Sequence, residues 1–220
     1  MKHLSKNNNF FYLAAALIFL LLASSVVDQF TGGYGQRLVQ GVIVFCLLIA
    51  LWSLKLQGSW MRAGLFVIVL LISIVIGSYL LDVAGLDYLN LLTMLIFFVA
   101  TTYLAARQVL FTGSIDGNKI IGSICIYLLM GLIWAILYLL ILEVDASAFH
   151  GISSAPWYEN FPDVAYYSFV TLTTLGYGDI SPTLPVARFL VYMEAIVGVF
   201  YMAVLVASLI GVRMSEHKSK

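Results

Sequence analysis

The stretch LTTLGYGDIS, Leu172 to Ser181, lies between two long apolar runs and interrupts them with two glycines and an acid. Just before it, DVAYYSFVTLTT, from Asp163 to Thr174, has neither Gly nor Pro, follows Pro162 and opens on a residue suited to an N-cap. It predicts a helix from Asp163 that is too short to cross a bilayer, for which about 20 apolar residues are needed. The local reading is a helix that enters from one side, stops partway and hands over to Gly176-Tyr177-Gly178 before the chain returns through Asp179 to Pro182. A second Gly-Tyr-Gly, in TGGYGQ from Thr31 to Gln36, has no half-helix in front of it and reads as a flexible turn.

Composition sets the solvent. Of 220 residues, 62% are hydrophobic and 10% charged, with a mean hydropathy of +1.02. A soluble domain carries roughly a quarter of its residues as charges, so this chain is expected to be an integral membrane protein. The formal net charge is zero, and no basic face points to nucleic acid. Cys46 and Cys125 lie inside apolar runs and read as small buried hydrophobes. His3, His150 and His217 fall in loops or tails and carry no assigned chemistry. No nucleophile, base or metal cluster assembles from these runs, so an enzyme is not expected and no cofactor is called for.

Runs long enough to span occur at 10–27, 38–54, 64–81, 89–110, 120–142 and 185–212. The fold class expected is all-α transmembrane, with six spans and a re-entrant segment between the fifth and the sixth. The first run has the order of a secretory signal, but it continues through Val26 and Val27 with no clean cleavage site and is read as a retained span. With a cytoplasmic N-terminus, Lys2, Lys6, Lys55, Arg62, Arg107, Lys119, Arg213, Lys218 and Lys220 fall inside, nine of the eleven basic residues. Arg37 and Arg188 remain outside, together with most of the acids. Both termini are thus expected in the cytoplasm of a cell bounded by a plasma (inner) membrane.

Irregular backbone at membrane depth survives only where protein or a wet cavity satisfies it. Successive carbonyls from several identical loops can replace the water shell of a monovalent cation, and glycines allow the backbone angles this needs. One chain cannot close such a ring, so a symmetric homo-oligomer, most simply a tetramer, is the expected partner state.

Thr173-Thr174-Leu175-Gly176-Tyr177-Gly178-Asp179 resembles the selectivity filter of potassium channels, T-x-G-Y-G with a following Asp, with Leu175 in a place usually held by Val. The resemblance runs through roughly 120–212 as outer helix, pore helix, filter and inner helix. It implies that Thr174, Leu175, Gly176 and Tyr177 present coordinating carbonyls to K+, with the Thr174 hydroxyl innermost and Gly178 closing the outer mouth. It implies further that Asp179 braces the filter and that Tyr166 and Tyr167 support the filter tyrosine. Val170 stands where many members carry a pore-helix Glu that pairs with that Asp, which leaves the partner of Asp179 open. In the last span it implies a hinge or a close helix approach at Gly198, and a cavity lined by Val199, Met202, Val206 and Ile210. Glu194, the acid well inside that span, is expected to hydrogen-bond the pore helix or the filter backbone from behind.

Six spans with a loop between the last two invite comparison with voltage-gated channels, whose fourth span carries an arginine every third residue. Here YLNLLTMLIFFVATTYLAARQVL, Tyr88 to Leu110, has Arg107 alone. Each charge crossing the field supplies about 2.3 kcal/mol per 100 mV, so steep voltage gating is not expected. The chain is divided at 1–111, a four-span peripheral region, and 112–220, the pore region. Asp82 and Asp87 read as loop charges. Gly117 to Ser123 reads as the turn into the fifth span, with Asp116 near the helix start. The function implied is passive, potassium-selective conduction; a less selective cation pore and a non-conducting scaffold are the alternatives.

Overall fold

The computed structural model describes residues 9–31, 36–53, 59–81, 85–110 and 117–218. Among them the chain forms seven helices: α1 (Asn9–Thr31), α2 (Gln36–Ser53), α3 (Ser59–Leu81), α4 (Leu86–Leu110), α5 (Gly117–Val144), α6 (Trp157–Leu172) and α7 (Pro185–Lys218). Two short strands, β1 (Phe149–His150) and β2 (Ser181–Pro182), pair antiparallel. Each of the six apolar runs falls on a helix. Four contain stretches long and apolar enough to cross a membrane, Phe10–Val27, Leu86–Val109, Gly117–Val144 and Pro185–Ser208. In α2 and α3 the apolar stretches, Gln40–Ser53 and Met61–Gly77, are shorter. TGGYGQ falls largely outside the described residues, as do Asp82 and Asp116.

Helix α5 is the centre of the packing. It lies against α4, α1, α6 and α7, while α1 also meets α2 and α6, and α3 meets α4 and α2. Its residues Leu129, Leu132, Ala135, Ile136, Tyr138 and Leu139 are inaccessible. A helix that is apolar on every side suits this position, because it has no face to leave in water. Both cysteines are buried and free, each donating to a carbonyl of α1: Cys46 to Ala16 at 3.2 Å and Cys125 to Phe10 at 3.3 Å. Gly122 is where α1 and α4 press on α5; a Cβ there would meet Val109 at 2.6 Å and Phe10 at 2.9 Å.

Helix α6 begins earlier than the sequence predicts, at Trp157 behind Pro156, and Pro162 lies inside it. Asp163 is therefore not its N-cap. The first turn is closed by Glu159 and Asn160 donating to the Pro156 carbonyl at 3.0 and 3.2 Å. Pro162 comes two residues later, as the sixth residue of the helix, where its ring removes one donor without ending it. At 1.5 Å per residue its 16 residues reach about 24 Å, short of a bilayer core of about 30 Å. Helix α5 likewise starts sooner than expected, so that Gly117 to Ser123 is its first two turns and not a loop.

Candidate functional site: the loop between α6 and α7

The last turn of α6 turns into the Gly-Tyr-Gly stretch through a defined set of backbone bonds. Thr173 ends the helix, with φ −85 and ψ −2. Thr174 donates to the Thr171 carbonyl at 2.9 Å, and Leu175 donates to the Val170 carbonyl at 2.9 Å. These are the two bonds of a Schellman cap, with Thr174 in the left-handed position that glycine usually fills. Thr174 has φ 61 and is the non-glycine residue with positive φ among those described. A β-branched residue held there is strained, and such strain gathers at functional sites.

Left-handed backbone then recurs at every second residue. Gly176 has φ 56 and Gly178 has φ 83, with Leu175 and Tyr177 between them on the ordinary side. The sign of φ thus alternates along the loop, while its first amides bond back to the helix they left. Gly176 follows Leu175 in pointing its N–H at the Val170 carbonyl, at 3.4 Å. All five residues from Thr174 to Gly178 are exposed, Leu175 by 58% and Tyr177 by 67%. An apolar leucine and a tyrosine ring standing clear of their own chain mark a face that this chain does not cover.

Three elements hold the loop from behind. Tyr127 of α5 donates to the Leu172 carbonyl at 3.2 Å. On α7, Gly198 lies against the same carbonyl so closely that an added Cβ would collide with the Leu172 oxygen. One turn earlier, Glu194 is fully buried, with Ser168 Oγ of α6 2.5 Å from one carboxyl oxygen and the Tyr138 hydroxyl of α5 donating to the other. Glu194 thus touches Ser168 of α6 and Tyr138 of α5, and these contacts do not reach the loop backbone.

The neighbouring tyrosines part company because successive helical residues point about 100° apart. Tyr166 is exposed and donates to Asp179 Oδ2 at 2.7 Å, which supplies the acid with a partner where Val170 offers none. That hydroxyl holds the Asp179 carboxyl below its usual range. Tyr167 turns inward, its ring centroid 5.5 Å from both Tyr138 and Phe149, which lie 5.3 Å from each other. It packs between α5 and α6 and not against Tyr177.

Beyond Asp179 the chain is clamped to the connection after α5. Phe149 pairs with Pro182 and His150 with Ser181. Thr183 donates its N–H to Ala148 at 2.9 Å and its hydroxyl to Ser147 at 2.5 Å. Gly151, with φ +89, passes so close to the Asp179 carbonyl that a Cβ would meet it at 2.5 Å. Asp145 steadies the same turn, accepting from the Ser147 amide and hydroxyl, which keep its carboxyl below the usual range.

Residues 123–214 match the model of a family described as an ion channel. No curated protein and no solved structure matches the chain. The matched segment takes in α5 from Ser123, the half-length helix α6, the strained loop and α7 to Met214. With four helices able to cross a membrane, the match supports a multi-pass membrane protein with ion channel activity.

On α7, Val199, Met202 and Val206 share one exposed face. It is turned about 100° from the face of Glu194, Gly198 and Tyr201 that packs on α5 and α6. Tyr201 donates to the Ser123 carbonyl at 2.6 Å. The Ile210 side chain lies outside the described residues.

Sequence reasoning passed over one group entirely. Trp157, the first residue of α6, is 2% exposed and donates its indole N–H to Asp87 Oδ1 at 3.2 Å. Asp87 is therefore no loop charge: it lies in the first turn of α4 and ties that helix to α6. Asn160, also buried, accepts from the Ser153 hydroxyl and donates to the carbonyls of Ser153 and Ala155 at 3.0 and 2.9 Å, which pins the preceding loop. The signal for both was a Trp and an Asn set among helix-forming residues beside Pro156 and Pro162.

Proposed function

We propose that four copies of this chain form a potassium-selective channel in the plasma (inner) membrane, with both termini cytoplasmic and K+ passing down its gradient. The observation that carries this is the alternation of left-handed backbone at Thr174, Gly176 and Gly178 directly after a capped half-length helix. It is the conformation by which one strand can offer a column of carbonyls to a dehydrated cation. In this reading Thr174, Leu175, Gly176 and Tyr177 supply the carbonyls, Gly178 closes the outer mouth, and Asp179 with Tyr166 braces it. The exposed Leu175 and Tyr177 then meet neighbouring copies around the axis.

All six apolar runs cross the bilayer in this reading, and α6 re-enters from outside. Residues 112–220 form the pore, with Val199, Met202, Val206 and Ile210 as an apolar lining that gates by dewetting. Residues 1–111 pack around it. Arg107 alone in α4 supports a pore without steep voltage gating.

The test is flux from liposomes containing the purified protein under a potassium gradient, compared with sodium. Potassium flux well above sodium flux is expected, with Gly176→Ala abolishing selective flux because φ 56 strains any side chain. Equal flux for the two ions would sink the selectivity, and no flux under any gradient would sink the channel.

A further inference from the structure

Ser168 is inaccessible, and its hydroxyl oxygen lies within hydrogen-bond distance of two oxygens: the Gly131 carbonyl of α5 at 2.7 Å and Glu194 Oε1 of α7 at 2.5 Å. A serine hydroxyl has one hydrogen, and a backbone carbonyl can only accept. The contact with Gly131 therefore uses the serine hydrogen. The shorter contact with Glu194 still needs a hydrogen between its oxygens, and the remaining source is the carboxyl itself. On the opposite side Tyr138 donates to Oε2, so that oxygen is the carbonyl of a carboxylic acid and Oε1 is its hydroxyl.

We propose that Glu194 is held as the neutral acid and that its proton orders a directional chain, Tyr138 to Glu194 to Ser168 to the Gly131 carbonyl, which latches α7 to α6 and α5 behind the filter. The groups facing Glu194 agree with this. From α5 they are Tyr127 and Tyr138, and from α6 Tyr167 and Ser168. All carry hydroxyls, and none is a cation. On α7 itself Arg188 is spent on the Pro182 carbonyl, at 3.3 Å. A buried carboxylate with no counter-charge is costly in a membrane interior, whereas the neutral acid is satisfied by one donor and one acceptor.

Loss of the proton reverses one link. A carboxylate needs donors at both oxygens, so Ser168 must turn its hydrogen from Gly131 to Glu194, and the α5–α6 bond is lost. Glu194 is thus a positioning residue whose proton sets whether three helices are joined at one point. Its effect on conduction rests on the channel reading; its protonation does not.

The experiment is infrared spectroscopy of the full-length protein in lipid, recorded against pH, alongside liposome potassium flux over the same range. At neutral pH the wild type is expected to show a protonated-carboxyl band that Glu194→Gln lacks, and the band is expected to disappear on alkalinisation together with the flux. Glu194→Gln, whose amide can accept from Tyr138 and donate to Ser168, is expected to keep its flux across that range. Ser168→Ala should leave the band present but shift it, as its hydrogen-bond acceptor is gone. A wild-type spectrum with no protonated band assignable to Glu194 at neutral pH overturns the proposal. So does alkaline loss of flux that is the same in wild type and Glu194→Gln. A protein with no flux at all sinks the channel reading instead, and the infrared band still decides the proton.

Discussion

The Cα of Gly198 rests on the carbonyl oxygen of Leu172, at the point where α7 crosses the last turn of α6. That oxygen belongs to backbone and is already held by Tyr127, so it cannot swing aside as a side chain would. Gly198→Ala is expected to wedge α7 from α6 and destabilise the protein by about 1–3 kcal/mol, the usual cost of overpacking. Thermal unfolding of the purified protein reads this as a lower Tm. An unchanged Tm with altered opening would instead make Gly198 a hinge alone.

Thr174 occupies a left-handed position with a β-branched side chain. Thr174→Gly relieves strain of about 1–3 kcal/mol and is expected to raise Tm while lowering the ratio of potassium to sodium flux. Gains in stability and losses in selectivity from one substitution would separate the residue's place in the cap from its proposed part in selectivity. If Tm does not rise, the residue carries no strain.

The Asp179 carboxyl sits below its usual range because Tyr166 donates to it. A depressed acid contributes stability above its unfolded pKa and loses it as pH falls through the folded value. The outer brace should therefore hold at neutral and mildly acidic pH and fail below the ordinary carboxylate range of about 4. Tyr166→Phe is expected to move that acid limb upward, as read by flux against external pH. Coincident acid limbs in the two proteins would show that the hydrogen bond does not form in the membrane.

Asp87 and Trp157 join α4 to the start of the pore helix across 70 positions of sequence. Asp87→Ala leaves a buried indole N–H without an acceptor and should cost about 1–3 kcal/mol, whereas Asp87→Asn keeps an oxygen in place and should cost less. A double-mutant cycle with Trp157→Phe is expected to show coupling between the two positions. Strict additivity would mean that the bond is not formed in the membrane-embedded protein.

The sequence made the six apolar helices and the strained loop legible because both signals are local. Twenty apolar residues announce a helix in lipid, and glycines at alternate positions announce backbone that other residues resist. The beginning of α6 was misplaced because Pro162 reads as a boundary, yet it falls early enough in the helix for the turn closed on Pro156 to carry it. Tyr166 and Tyr167 look like a pair in one dimension and face different surroundings in three. Glu194 announced itself as an acid within an apolar run, but Ser168, Tyr138 and Gly131 lie 26 or more positions away from it, and nothing in the string of letters joins them. Asp87 stayed hidden for the same reason.

The loop from Leu172 to Thr183 is fastened at both ends to the same bar. At one end Tyr127 of α5 holds the Leu172 carbonyl; at the other Thr183 hangs from Ser147 and Ala148, just beyond the end of α5. Helix α5 is thus the frame to which both ends of the loop are tied, and its length sets the distance between the two ties. Inserting or deleting a residue between Tyr127 and Ser147 would shift one tie against the other without altering any residue of the loop itself.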